Sequence, residues 1–127
     1  MKTILIAEDN VVNRELVREM LEAWGFHVLE ALDGQQALRT IKAERPDLVL
    51  MDIQMPVLDG FAVMRKIRSE AELAGIPILA LTAYAMRGDS EKALEAGFNA
   101  YVTKPIDMAL LQREINRHLD PVCRSEL

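Results

Sequence analysis

The sequence predicts an α/β fold built on a parallel sheet with helices on both faces, and three observations carry that expectation. Five short β-like runs alternate with longer amphipathic stretches, the signature of successive βαβ units. Three of the runs are apolar almost throughout, as strands covered on both faces must be. Polar residues stand where runs stop: Glu8 and Asp9 after TILIA, Asp52 after LVLM, Thr82 after ILAL and Lys104 after AYVT. In an open parallel sheet the loops leaving the C-terminal strand edge converge on one crevice, so these five residues are expected to meet.

Each element has its own signal. A strand is expected over Thr3–Ala7, followed by a helix whose apolar stripe is Leu16, Val17, Met20, Leu21 and Trp24. In LEAWGF the Gly25-Phe26 step fits a left-handed helix cap with its apolar contact, and Gly97-Phe98 in LEAGF fits a second one. These are read as helix stops, not as a repeat. The next strand is His27–Ala31, and Asp33-Gly34 marks the boundary before a helix that buries Leu38 and Ile41. Strands then follow over Asp47–Met51 and Ile76–Leu81, separated by a helix with Phe61, Met64 and Ile67 inward. The last strand is Ala100–Thr103, after which Asp107 caps a helix that buries Leu111, Ile115 and Leu119. The three apolar strands, the first, third and fourth, belong in the middle of the sheet.

Composition bounds the function. The chain of 127 residues fits one domain over residues 1–120, with a short polar tail over 121–127. No apolar run approaches the roughly 18 residues of a membrane span, and the chain enters a strand pattern too early for a signal-peptide core. The one cysteine, Cys123, lies in the tail, in keeping with a reducing compartment, so a cytoplasmic location is expected. The net charge of −5 and pI near 5.0 repel nucleic acid and anionic lipid, which are bound through Lys and Arg.

Three carboxylates, a hydroxyl and an ammonium in one crevice pose a charge problem. At an effective dielectric near 20, two carboxylates about 4 Å apart repel by roughly 4 kcal/mol, so Glu8, Asp9 and Asp52 need a compensating cation. Lys104 supplies one charge. The remainder suits a hard divalent ion, Mg²⁺ before Zn²⁺, because the donors are oxygens and no His or Cys joins the pattern. A carboxylate at the tip of a buried strand can attack a phosphoryl group while metal and lysine neutralise its oxygens. Asp52 then attacks, Asp9 with Glu8 holds the metal, Lys104 grips the phosphoryl oxygens and Thr82 donates a hydroxyl hydrogen bond. Taken singly, Glu8 and Asp9 also suit a helix N-terminus, Asp52 a turn, and Lys104-Pro105 loop punctuation. The joint pattern favours the site.

The segments IAEDN, LVLMDIQMPVLDG, ALTAYA and YVTKPI stand in the order and at the spacing of one family. From about Lys2 to Leu119 the chain resembles the receiver domain of two-component response regulators. The resemblance implies a five-stranded, flavodoxin-like (βα)5 sheet of strand order 2-1-3-4-5. It makes Asp52 the phosphoryl acceptor and a metal ligand, Glu8 and Asp9 the metal-binding acidic pair, and the main-chain carbonyl of Gln54 a further metal ligand. Lys104 becomes the phosphoryl-binding cation, held by a cis Lys104–Pro105 peptide, with Thr82 the switch hydroxyl and Tyr101 the switch aromatic. Mg²⁺ is the implied cofactor. The implied partners are a histidine kinase or histidine phosphotransfer protein, docking near Val11, Val12, Asn13 and Leu16, and a downstream protein target. Of these, Val11 and Val12 are the better interface residues, since Leu16 also fits the core. On this reading the protein is a signalling switch, not an enzyme, although it assists its own phosphorylation and dephosphorylation. The phosphoryl group adds about −1.5 to −2 charges, Thr82 moves to bind it and Tyr101 turns inward, changing the surface around the last two helices.

Some residues depart from the commonest form of the pattern. Glu8 replaces an Asp, and its extra methylene favours a water-bridged metal contact. Gln54 and Tyr84 flank the phosphoryl position; the bulk of Tyr84 is expected to shield the acyl phosphate, so Tyr84→Ala should dephosphorylate faster in a timed decay. EDNVVNREL and TAYAMRGD look most like single-domain receivers of the DivK type and like receivers of hybrid histidine kinases. The Met1 start and short tail favour the free-standing form; the hybrid-kinase receiver is the alternative. An Asp-nucleophile phosphatase is disfavoured, because Gln54 stands where such enzymes place a second, proton-transferring Asp. A flavin module on the same sheet order is disfavoured too, because EDN repels a phosphate. His27 and His118 take no part in the site.

Overall fold

The computed structural model describes residues 2–53, 60–82, 94–103 and 106–119. Gln54, Tyr84, Lys104, Pro105, Cys123 and the side chain of Thr82 lie outside the described residues. The elements run β1 (Thr3–Ala7), α1 (Val11–Ala23), β2 (His27–Ala31), α2 (Gly34–Glu44), β3 (Leu48–Asp52), α3 (Gly60–Arg68), β4 (Ile78–Thr82), helical residues 94–96 (α4), β5 (Ala100–Thr103) and α5 (Met108–Leu119). All five strands pair in parallel, in the order β2-β1-β3-β4-β5. The expected topology and central strands are therefore observed.

Alternation along the strands sorts the core onto two faces. Ile4, Ile6, Leu48, Leu50, Leu79, Leu81 and Val102 pack with Val17, Met20 and Leu21 of α1 and with Leu111 and Ile115 of α5. Leu5, Ala7, Val49, Met51, Ile78 and Ala80 pack on the other face with Ala37 and Ile41 of α2 and Val63, Met64 and Ile67 of α3. Phe98 joins the second face, its ring meeting Phe61 edge-on at 6.0 Å.

Two strands sit slightly later than their apolar runs suggested. Asp47 precedes β3 because its carboxylate turns to accept the Thr3 N–H at 2.7 Å, while its own N–H donates to the Thr3 carbonyl at 2.8 Å. Pro77 has no N–H to give, and β4 opens at Ile78. At the other end both strands run one residue further, to Asp52 and Thr82, so the polar residues belong to the sheet instead of following it. Leu16 is a second correction: it is 52% exposed, because the contact stripe of α1 is carried by Val17, Met20 and Leu21, with Trp24 packed against them at the helix end.

The expected caps are present. Gly25 has φ 89° and Gly97 φ 110°, and the Gly25 and Phe26 N–H groups donate to the Glu22 and Leu21 carbonyls at 3.0 Å each, a Schellman closure of α1. Asp33 accepts from the Gln36 N–H at 2.8 Å and Asp107 from the Ala109 N–H at 2.9 Å.

Candidate functional site

Parallel register brings the first acids together. β1 and β3 are neighbours with Ile4 beside Leu48 and Ala7 beside Met51, so the next step along both strands sets Glu8 beside Asp52. Both also continue the alternation of the face covered by α1 and α5. Glu8 is 1% exposed and Asp52 6%, whereas Asp9 reaches solvent. One carboxylate oxygen from each of the three lies within 4.8 Å of the others. The predicted acidic cluster thus exists, with two of its members buried.

Local structure fixes both buried acids. Asp52 is the final residue of β3, paired opposite Leu81, and the Ile53 N–H extends the ladder to the Leu81 carbonyl at 3.1 Å. Behind it, α3 begins at Gly60, where an added Cβ would lie 2.9 Å from the Ile53 Cα and 3.0 Å from the Asp52 carbonyl oxygen. Only glycine allows that approach. The Glu8 N–H donates to the Ala31 carbonyl at 3.1 Å, so β2 holds the residue from the far side.

Two residues of α1 that sequence reasoning gave no role at the cluster also touch Glu8. Arg14 Nη1 donates to the Glu8 carbonyl at 3.1 Å, and Asn13 Nδ2 to Glu8 Oε1 at 3.4 Å. The signal available in the sequence was their place three and four residues after Asn10, whose side chain accepts the Asn13 N–H at 3.0 Å as the helix cap. Arg14 Nε also lies 3.7 Å from Glu30 Oε2 on β2, and Arg18 Nη1 donates to Glu30 Oε1 at 3.0 Å. Hydrogen bonds to Glu22 and Glu30 hold the Arg18 guanidinium above its ordinary pKa.

Thr82 ends β4, one strand from Asp52 and opposite Thr103. Tyr101 lies in β5 opposite Ala80 and is 40% exposed. Val11, Val12 and Leu16, in the first half of the helix that follows Glu8 and Asp9, are exposed. His27 is exposed at the opposite end of β2, and His118 Nδ1 lies 2.8 Å from the Glu114 carbonyl, away from the cluster.

The profile of the response regulator receiver domain matches residues 4–116. The chain belongs to that family. As a receiver it is similar to the polar-differentiation response regulator DivK of Brucella anthropi, 39% identical over 118 residues, which cover 93% of this chain and 96% of that protein. It is also similar to the receiver domain of a Pseudomonas aeruginosa sensor histidine kinase, solved with a magnesium ion coordinated in the active site cleft. There the identity is 43% and the TM-score 0.87, over 93% of this chain and 97% of that one. A third likeness is to the Saccharomyces cerevisiae receiver of Ssk1, co-crystallised with the histidine phosphotransfer protein Ypd1. That match has 32% identity and a TM-score of 0.85, over 91% of this chain and 87% of that one. The receiver is accordingly a signalling switch of the two-component type. Among the described residues no helix is long and apolar enough to cross a membrane.

The donor set of this receiver fits a hard divalent cation. Ligands of one Mg²⁺ at about 2.1 Å stand roughly 3 Å apart when adjacent and roughly 4.2 Å when opposite. A trio whose carboxylate oxygens all lie within 4.8 Å of one another is compatible with one such cation.

Proposed function

We propose that this receiver takes a phosphoryl group onto Asp52 and uses it to switch a protein-binding surface. The observation that carries the reading is the meeting of Glu8, Asp9 and Asp52 at the tip of adjacent strands, with carboxylate oxygens within 4.8 Å. Such a cluster is costly alone and favourable once a cation and a phosphoryl group arrive. Glu8, Asp9 and Asp52, with the Gln54 carbonyl, would hold Mg²⁺, which when bound would supply positive charge for the phosphoryl oxygens. Asp52 supplies the nucleophile: its carboxylate oxygen bonds to phosphorus as the phosphorus–nitrogen bond of a phosphohistidine donor breaks and the leaving imidazole takes up a proton. Lys104 pairs with a phosphoryl oxygen and Thr82 donates to another.

The signal then leaves through Tyr101. Its present 40% exposure is the outward state, and Thr82 moving toward the phosphoryl group opens the space into which the ring turns. Moving such an equilibrium from 1:99 to 99:1 takes about 5.5 kcal/mol, more than one hydrogen bond supplies, so a downstream protein partner completes the switch. The donor is a histidine kinase or histidine phosphotransfer protein, docked on Val11, Val12 and Leu16, all more than half exposed in the helix that follows Glu8 and Asp9. A cytoplasmic location goes with that donor. A second reading, a receiver belonging to a hybrid histidine kinase, is supported by the 43% identity to a kinase receiver against 39% to DivK.

The test is incubation with Mg²⁺ and acetyl phosphate, followed by intact-mass measurement. Wild type is expected to gain one alkali-labile phosphoryl group and Asp52→Asn none. An adduct that persists in Asp52→Asn, or no adduct on wild type, refutes the assignment.

A further inference from the structure

Glu8 is held more completely than a surface acid needs to be. Its N–H is taken by β2, at the Ala31 carbonyl, and its own carbonyl by Arg14 Nη1, each at 3.1 Å. Its carboxylate meets the Asn13 amide at 3.4 Å. The two α1 residues are themselves anchored. The Asn13 main chain is pinned by the Asn10 cap at 3.0 Å. The Arg14 side chain is only 13% exposed, lying between the Glu8 carbonyl and Glu30 of β2. A glutamate has one more rotatable bond than an aspartate, so a glutamate that must meet Asp9 and Asp52 needs an external hold on its rotamer. At 3.4 Å the Asn13 contact is long, and its value lies in choosing that rotamer more than in bond strength.

We propose that Asn13 and Arg14 are positioning residues for the cation site, one setting the carboxylate of Glu8 and the other its main chain, and that together they set Mg²⁺ affinity. The proposal rests on the acidic trio holding Mg²⁺. Outer-shell partners of metal ligands commonly change affinity by about 10- to 100-fold, and two such partners in one helical turn make α1 a tuning element as well as a docking surface.

Mg²⁺ is titrated calorimetrically into wild type, Asn13→Ala, Arg14→Met, Arg14→Lys, Glu8→Asp and the Asn13→Ala/Glu8→Asp pair, with a urea midpoint for each. Asn13→Ala and Arg14→Met are each expected to weaken binding about 10-fold. Arg14→Lys, which keeps a cation for the Glu8 carbonyl, recovers most of the loss. In the Glu8→Asp background the shorter arm no longer meets the Asn13 amide, so Asn13→Ala changes affinity by less than about twofold. Unchanged affinity in Asn13→Ala, or an equal loss in both backgrounds, overturns the positioning role. If Arg14→Met fails to fold, Asn13→Ala and Arg14→Lys decide. Wild type that takes no Mg²⁺ overturns the metal site itself, a result distinct from a wild type that binds while the variants match it.

Discussion

At the scale of single residues, the site depends on what stands behind Asp52 as much as on Asp52. Gly60 lies so close to the Ile53 Cα and the Asp52 carbonyl that a methyl group must push the main chain aside. Gly60→Ala is expected to cost about 1 to 3 kcal/mol in urea unfolding and to slow phosphorylation by acetyl phosphate, since the nucleophile moves with its carbonyl. Gly97→Ala tests a different cause. Its φ of 110° excludes a side chain, and the added Cβ would sit 3.1 Å from Arg68 Cγ, far from the acids. It should lower stability by about 1 to 3 kcal/mol and leave the initial phosphorylation rate near wild type. The acids were legible in the sequence because a polar residue ending an apolar run can be recognised without coordinates. Asn13 and Arg14 were not, since their role is a contact to a neighbouring loop and no periodicity reports it. Leu16 misled for a related reason: it has helical spacing, but an apolar residue at the margin of the stripe can face solvent as easily as core.

At the scale of elements, the guanidinium of Arg68 ties three segments together. Nε and Nη2 donate to the Gly97 carbonyl at 3.1 and 2.7 Å, Nη2 also to Asn99 Oδ1 at 2.9 Å, and Nη1 to the Ala74 carbonyl at 2.6 Å and the Ile76 carbonyl at 3.3 Å. Every acceptor is neutral, and burial pulls the guanidinium below its ordinary pKa. Asn99 Oδ1 also takes the Ile78 N–H at 2.8 Å, so the end of α3, the turn before β4 and the approach to β5 share one clasp. Arg68→Met is expected to cost about 2 to 4 kcal/mol, because it strands several acceptors together, and Arg68→Lys to recover only part of that. Urea midpoints for the two variants check both values. The salt bridges Lys42–Glu70 at 3.0 Å and Arg45–Glu72 at 2.6 Å join α2 to the segment after α3, but they are largely exposed and contribute little. Strand identities and glycine caps followed from composition and spacing alone. The α2 terminus carried no such mark: Arg45 adopts the left-handed conformation, φ 46°, in a place where no glycine announces it. Strand limits slipped by one or two residues because hydrogen bonding, not hydropathy, decides them, as Asp47 and Pro77 show.

At the scale of the whole molecule, cation binding and folding are coupled. Any ligand that binds only the folded chain stabilises it, by about 2.7 kcal/mol at 100 times Kd, so Mg²⁺ should raise the urea midpoint of wild type. Asp52→Asn should be the more stable protein without Mg²⁺, by about 1 kcal/mol or more, since one carboxylate repulsion is gone, and should gain less when Mg²⁺ is added. Denaturation of both proteins with and without Mg²⁺ reads these differences directly. A wild type whose midpoint ignores Mg²⁺ contradicts the coupling.

The step along β1 and β3 that sets Glu8 beside Asp52 also says which changes of chain length the protein can survive. Both acids are addressed by counting from paired strand positions, not from the loops or helices between them. Lengthening the connection between α2 and β3 leaves that count untouched. Deleting one residue inside β3 turns its remaining side chains to the opposite face and separates the acids, even though the composition hardly changes. Natural and engineered variants of this chain should therefore carry their insertions outside Thr3–Ala7 and Leu48–Asp52.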